Sequence, residues 1–194
     1  FIMVTLGTGV GGGIIYQNKI FRGSTGGAGE IGHMTIDHEG PYARSGVGGA
    51  IEAYLGQEFL TDHARDRLIN FPESVVPALV DGDLSRLSPR VLYQAATEGD
   101  AFAREMLAWA GHKLGCVLGA AVNLLDIRTI VVGGGVSAAG DYLLAPARDA
   151  LPRFVVPGLR DDLQILQETL GNEASLLGAA RLALEGDQAQ VGTP

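Results

Sequence analysis

The chain has 194 residues, 14 of them basic and 22 acidic, for a formal charge of −8, a balance that excludes electrostatic attachment of this chain to nucleic acid or to an anionic membrane. A single cysteine, Cys116, excludes an intrachain disulfide and a cysteine-rich metal site, and fits a reducing, cytoplasmic setting. Glycine fills 29 positions, about twice the usual ~7%, yet apolar residues make up 46%, so the excess serves tight turns and close backbone approaches in a folded core.

Phe1 to Leu6 reads as a buried strand with no polar lead-in and no initiator methionine. An unpaired apolar edge invites aggregation, so the expectation is a fragment that lacks an upstream segment. The glycine turn Gly7 to Gly13, then Ile14 to Tyr16, a turn at Gln17 to Lys19 and Ile20-Phe21 predict a β-hairpin, making three consecutive strands. A second glycine cluster spans Gly23 to Gly32, and Met34 and Ile36 alternate after it. A glycine-rich loop, Glu39 to Gly49, leads into a helix over Ala50 to Leu68 with Tyr54, Leu55, Phe59 and Leu60 as its apolar stripe.

Phe71 to Leu87 reads as irregular. Ser88-Pro89 is an N-cap followed by proline at the first helical position, and Asp100 caps the next helix. Phe102, Met106, Ala110, Leu114, Val117, Leu118, Ala121, Val122 and Leu125 make that helix the central buried one. The run Leu114 to Leu125 is interrupted by Asn123 and is far shorter than the ~20 residues that span a bilayer. A β-branched strand, Ile127 to Val132, ends in Gly133-Gly134-Gly135. A helix near Asp141 to Leu151, a strand near Leu163 to Leu166 and a helix over Glu173 to Glu185 follow, with 186–194 as a tail. Hairpin strands followed by alternating strands and helices predict an α/β domain with a mixed sheet flanked by helices.

Glycines directly after a buried strand leave backbone N–H groups unobstructed, which suits phosphate oxygens. Gly7, Thr8, Gly9, Val10, Gly11 and Gly12 form one such turn, to which Thr8 adds a hydroxyl, and Gly133, Gly134 and Gly135 form another at the end of a later strand. No lysine follows the first turn and a hairpin rather than a helix comes next, so neither a Walker loop nor a dinucleotide fingerprint applies. A branched side chain at Gly9 or Gly134 is expected to obstruct a phosphate-bearing ligand there and to leave contacts elsewhere alone. Glu30, His33 and Glu52 combine two hydrogen-bond acceptors with an imidazole, which suits a polyhydroxylated ligand. The ordinary alternatives are a helix-dipole role for Glu52 and a core histidine at position 33. His33, Asp37, His38 and Glu39 match no metal-ligand spacing, and Cys116 reads as a core thiol.

Leu6-Gly-Thr-Gly-Val-Gly-Gly-Gly13, Gly29-Glu-Ile-Gly-His-Met34, Gly49-Ala-Ile-Glu-Ala-Tyr54, Val132-Gly-Gly-Gly-Val136 and Leu177-Gly-Ala-Ala180 together resemble the repressor/ORF/kinase (ROK) family of sugar kinases and repressors. The resemblance covers nearly the whole chain. It implies the larger, C-terminal domain, over 1–185, with the ribonuclease-H-like fold of actin and hexokinase. It also implies ATP at the two glycine turns, a hexose at Glu30, His33 and Glu52, Mg²⁺ on the ATP oxygens, a homo-oligomer, and a catalytic aspartate in the absent N-terminal domain. Family members commonly hold a structural zinc on the motif histidine and three cysteines. Those cysteine positions are Ala43, Ser45 and Ala50 here, so no zinc is expected, His33 is left available to the sugar, and the loop Gly40 to Gly49 loses a clamp. The expected activity is glucokinase-like phosphorylation of a hexose, by a complete protein rather than by this chain alone. The alternatives are the sugar-sensing half of a transcriptional repressor and a relative whose sites have decayed.

Overall fold

Ile2, Val4 and Leu6 point into the core from strand β1 (Ile2–Leu6), and this strand is the middle of the sheet. Strands β2 (Val10–Tyr16), β3 (Lys19–Ile20), β4 (Thr129–Gly133) and β5 (Gln164–Gln167) complete it in the order β3-β2-β1-β4-β5. β1 pairs antiparallel with β2 and parallel with β4, which pairs parallel with β5, so the sheet is mixed, as expected. The structure, a computed structural model, describes residues 1–171 and 173–191, with side chains described as far as residue 184.

Seven α-helices among the described residues accompany the sheet: α1 (Glu52–Leu55), α2 (Gln57–Arg67), α3 (Val76–Leu79), α4 (Pro89–Thr97), α5 (Ala101–Leu125), α6 (Asp141–Ala150) and α7 (Glu173–Val191). Both caps read from the sequence are formed: the Ser88 hydroxyl accepts the Val91 amide at 3.3 Å, and the Asp100 carboxylate accepts the Ala103 amide at 2.7 Å. Helix α5 buries Phe102, Leu107, Leu114 and Leu118 completely or nearly so, each such side chain contributing ~1.5–3 kcal/mol of transfer free energy. Its glycines at 111, 115 and 119 form a groove into which α6 and the following turn pack at backbone distance. A Cβ on Gly115 would lie 2.8 Å from both the Ala147 carbonyl and the Ala150 methyl. None of the helices is long and apolar enough to cross a membrane among the described residues.

Several boundaries differ from the sequence reading. The first glycine run is a turn only over 7–9, because Gly11, Gly12 and Gly13 stand in β2 opposite Thr5, Val4 and Met3. Gln17 and Asn18 both take positive φ, 49° and 59°, which is the two-residue turn that matches strand twist, and it leaves β3 only two residues long. Met34 and Ile36 belong to no strand; Thr35 makes an isolated bridge to Ala50. The irregular stretch 71–87 contains the single turn α3 and a 3-10 turn at Leu84–Arg86. The helix expected over Ala50 to Leu68 is broken at Gly56, whose ψ of 139° is not helical. Helix α7 runs to Val191 rather than ending at Glu185, since Gly186 is tolerated among alanine and glutamine. Of the expected tail, 192–194 lies outside the described residues.

Candidate active site

The break at Gly56 places the amino end of α2 against the first glycine turn. Gln57 donates its amide to the Gly7 carbonyl at 2.9 Å, and Gly7 in turn donates to Gly9 at 2.9 Å. A Cβ on Gly56 would stand 3.2 Å from the Thr8 carbonyl, so only glycine lets helix and turn approach this closely. On the other side of the turn, the Glu52 carboxylate, from the first residue of α1, accepts the Val10 amide at 3.1 Å and lies where a Gly9 side chain would be. The amides of Gly7 and Val10 are thus engaged within the protein. Thr8 is exposed at the tip.

The second glycine turn adjoins the first. Thr5 pairs with Gly133 across the parallel β1–β4 ladder, so both turns leave the carboxyl ends of neighbouring parallel strands, where α/β sheets bind ligands. Gly134 has φ of 87° and packs on the Leu6 backbone, while a Cβ on Gly135 would meet nothing within 4 Å. Ser137 closes this turn by donating its hydroxyl to the Gly134 carbonyl at 2.7 Å. A cavity of about 500 Å³ lined by Phe71, Glu73, Asp100 and Phe102 includes no residue of either glycine turn.

Glu30 and His33 sit on a 3-10 turn, Ile31–His33, that lies across the start of β2, because Gly32 has no side chain to strike the Val10 carbonyl. His33 Nε2 is 3.6 Å from Glu30 Oε2, and His33 Nδ1 is 3.2 Å from the Ser45 hydroxyl. Val10 is therefore the common neighbour: its carbonyl backs the Glu30–His33 turn and its amide holds Glu52. This brings all three polar residues singled out in the sequence to the start of β2.

The loop between His33 and Glu52 carries contacts that sequence reasoning missed. Tyr54 donates to Asp37 at 3.2 Å; burial first, and then the Asp37 carboxylate, push its phenol above its ordinary value of 10.0. Arg44 pairs with Glu58 on α2, tying the loop to that helix. His38 and Glu39 are exposed neighbours 3.7 Å apart, and among the described residues no three His, Cys, Asp or Glu side chains are grouped to hold a metal ion. Cys116 is half-buried, and burial pushes its thiol up.

The model of the ROK family matches residues 1–186. The chain belongs to the ROK family. The glucokinase of Streptomyces coelicolor is 38% identical over 193 residues, covering 96% of this chain and 60% of its own length. The crystal structure of a ROK family glucokinase from Streptomyces griseus, in complex with glucose and AMPPNP, is 35% identical with a TM-score of 0.85, over 93% of this chain and 59% of that one. The transcriptional regulator NagC of Escherichia coli is more distant, 26% identical over 175 residues, covering 90% of this chain and 42% of its own length. The chain thus spans about three fifths of the length of the glucokinases it matches. Its mixed five-stranded sheet flanked by helices is the actin/hexokinase-type fold of the ROK sugar kinases.

The zinc common in the family does not fit this donor set. Ala43 and Ala50 are buried and apolar, and the remaining position, Ser45, offers a hydroxyl rather than a thiolate and sets it against His33 Nδ1 at 3.2 Å.

Proposed function

We propose that this chain carries the nucleotide site and part of the sugar site of an ATP-dependent, glucokinase-like hexose kinase acting in the cytoplasm. The observation that carries the reading is the position of Val10, which joins Glu52 to the phosphate turn through its amide and backs the Glu30–His33 turn through its carbonyl. Sugar-binding and phosphate-binding groups are thereby held on one short piece of backbone, as transfer between two bound substrates requires. In this reading the exposed Thr8 hydroxyl and the Thr8 and Gly9 amides receive phosphate oxygens. Gly133, Gly134 and Gly135 flank the adenosine, and Glu30, His33 and Glu52 hold sugar hydroxyls. Mg²⁺ enters on the ATP oxygens and neutralises charge there. The general base on the sugar hydroxyl belongs to protein outside these 194 residues, and the assembled enzyme is a homo-oligomer.

The 38% identity to a glucokinase against 26% to NagC favours kinase over repressor. The test is steady-state kinetics on the natural full-length product with glucose and ATP varied separately. Glu30→Gln and Glu52→Gln should raise the sugar KM roughly 5- to 150-fold, the cost of leaving a desolvated polar group unpaired, with the ATP KM little changed. Sugar kinetics within twofold of the parent in both variants would refute the site.

A further inference from the structure

The loop in which the family resemblance implies a metal clamp is here closed by hydrogen bonds. Asp37 anchors its start through Tyr54 at 3.2 Å, and Gly49 donates to the Pro41 carbonyl at 2.7 Å to draw its two arms together. Ala43 donates to the Val47 carbonyl at 3.0 Å, and Gly46, at φ of 84°, donates back to Ala43 at 2.9 Å. Ser45 rides on that tight turn. Buried Ala43 roots the turn in the core, and the Arg44–Glu58 pair fixes its outer side. The serine hydroxyl is so delivered to His33 Nδ1 at 3.2 Å, while the other ring nitrogen faces the Glu30 carboxylate at 3.6 Å.

These two neighbours favour one tautomer. A carboxylate oxygen only accepts, so a proton on Nε2, which faces Glu30, leaves Nδ1 to accept from the Ser45 hydroxyl and suits both neighbours. We propose that Ser45 is a positioning residue that orients the His33 ring, with Nε2–H turned to the sugar hydroxyls beside Glu30, in a loop that closes without metal. The same orienting role falls to second-shell partners of histidine ligands in metal sites, where they fix ring and tautomer together. A serine does it with a single hydrogen bond, and the surrounding backbone bonds supply the rigidity that thiolates and zinc would otherwise give.

The proposal rests on the sugar-site reading above, and its test separates the two. In the natural full-length product, Ser45→Ala should raise the KM for glucose about two- to tenfold, the weight of one hydrogen bond, and leave the KM for ATP within twofold. Ser45→Thr, which restores the hydroxyl, should return the glucose KM to the parent value. Elemental analysis of the parent should find no stoichiometric zinc. If Ser45→Ala leaves glucose kinetics unchanged while Glu30→Gln and Glu52→Gln impair them, the sugar site stands and the positioning role falls. If none of the three moves the glucose KM, the sugar site itself is wrong. An equal loss for both substrates, failure of Ser45→Thr to rescue, or one zinc per chain would each overturn the proposal.

Discussion

The Val10 amide donates to the Glu52 carboxylate at 3.1 Å, joining two residues 42 positions apart, and the carboxylate fills the space in which a Gly9 side chain would stand. Under the proposed function, Gly9 therefore bears on the sugar site as well as on the phosphate turn.

If Glu52 holds a sugar hydroxyl, a side chain at Gly9 does not spare the sugar, contrary to the sequence expectation. Gly9→Ala should displace Glu52 and raise the glucose KM roughly 5- to 150-fold as well as weakening ATP, because the carboxylate can no longer keep both Val10 and a hydroxyl. Gly134 is equally unsuited to a clean test: with φ of 87° and the Leu6 backbone against it, Gly134→Val should cost on the order of 1–3 kcal/mol of folding stability. Gly135 has open space around it. Gly135→Val should raise the KM for ATP while leaving the urea midpoint and the glucose KM near the parent values. A glucose KM unchanged in Gly9→Ala would show that Glu52 does not serve the sugar.

Asp100 is 8% exposed and accepts two amides, Ala103 at the start of α5 and Val75 beside α3, both at 2.7 Å. Asp100→Ala removes the cap and strands the Val75 amide, which together should destabilise the fold by about 2–4 kcal/mol. Urea denaturation followed by circular dichroism measures it. A loss below about 0.5 kcal/mol, the range of ordinary surface changes, would mean that water replaces both bonds.

His63 stacks on Trp109, the chain's only tryptophan, at 4.1 Å between ring centroids and 12° between planes. Burial, helped by Arg67 and by Lys113 and opposed by Asp66, holds its imidazole below the ordinary value of 6.5. The folded state thus favours neutral His63, and the unfolded state binds more protons once the pH falls under 6.5. Its contribution to stability is complete above 6.5 and is lost as the pH drops from there through the folded value. His63→Phe keeps an aromatic ring on Trp109 and carries no proton. Urea midpoints at about pH 7.5 and about pH 5 should therefore fall further in the parent than in His63→Phe, and equal falls would contradict the assignment.

Where local physics decides, the elements were legible in the sequence. The strand near Phe1 to Leu6, the caps at Ser88 and Asp100, and the long apolar stripe of α5 depend on neighbours within a few residues, and the structure has them where they were read. Glu30, His33 and Glu52 stood out in the sequence as polar residues beside glycine turns and at a helix start, and the structure brings them to the start of β2. How those residues meet was decided only by tertiary structure. The apolar stripe runs on past Gly56, but the helix breaks there, because Gly7 offers its carbonyl to Gln57 and the Glu52 and Thr8 carbonyls crowd the place of a side chain. Gly11 to Gly13 are strand rather than turn, because β1 offers a ladder to pair with, and the missing side chain of Gly12 lets Gly29 and Ile31 lie on the strand. Ser45 was visible in the sequence only as an absent cysteine, since a hydrogen bond to a ring twelve residues away depends on how the intervening loop closes. Sequence periodicity records which face of an element is buried. Which backbone amide a distant carboxylate or hydroxyl reaches is set by the packing of elements that meet only after folding, and that is where the site is made.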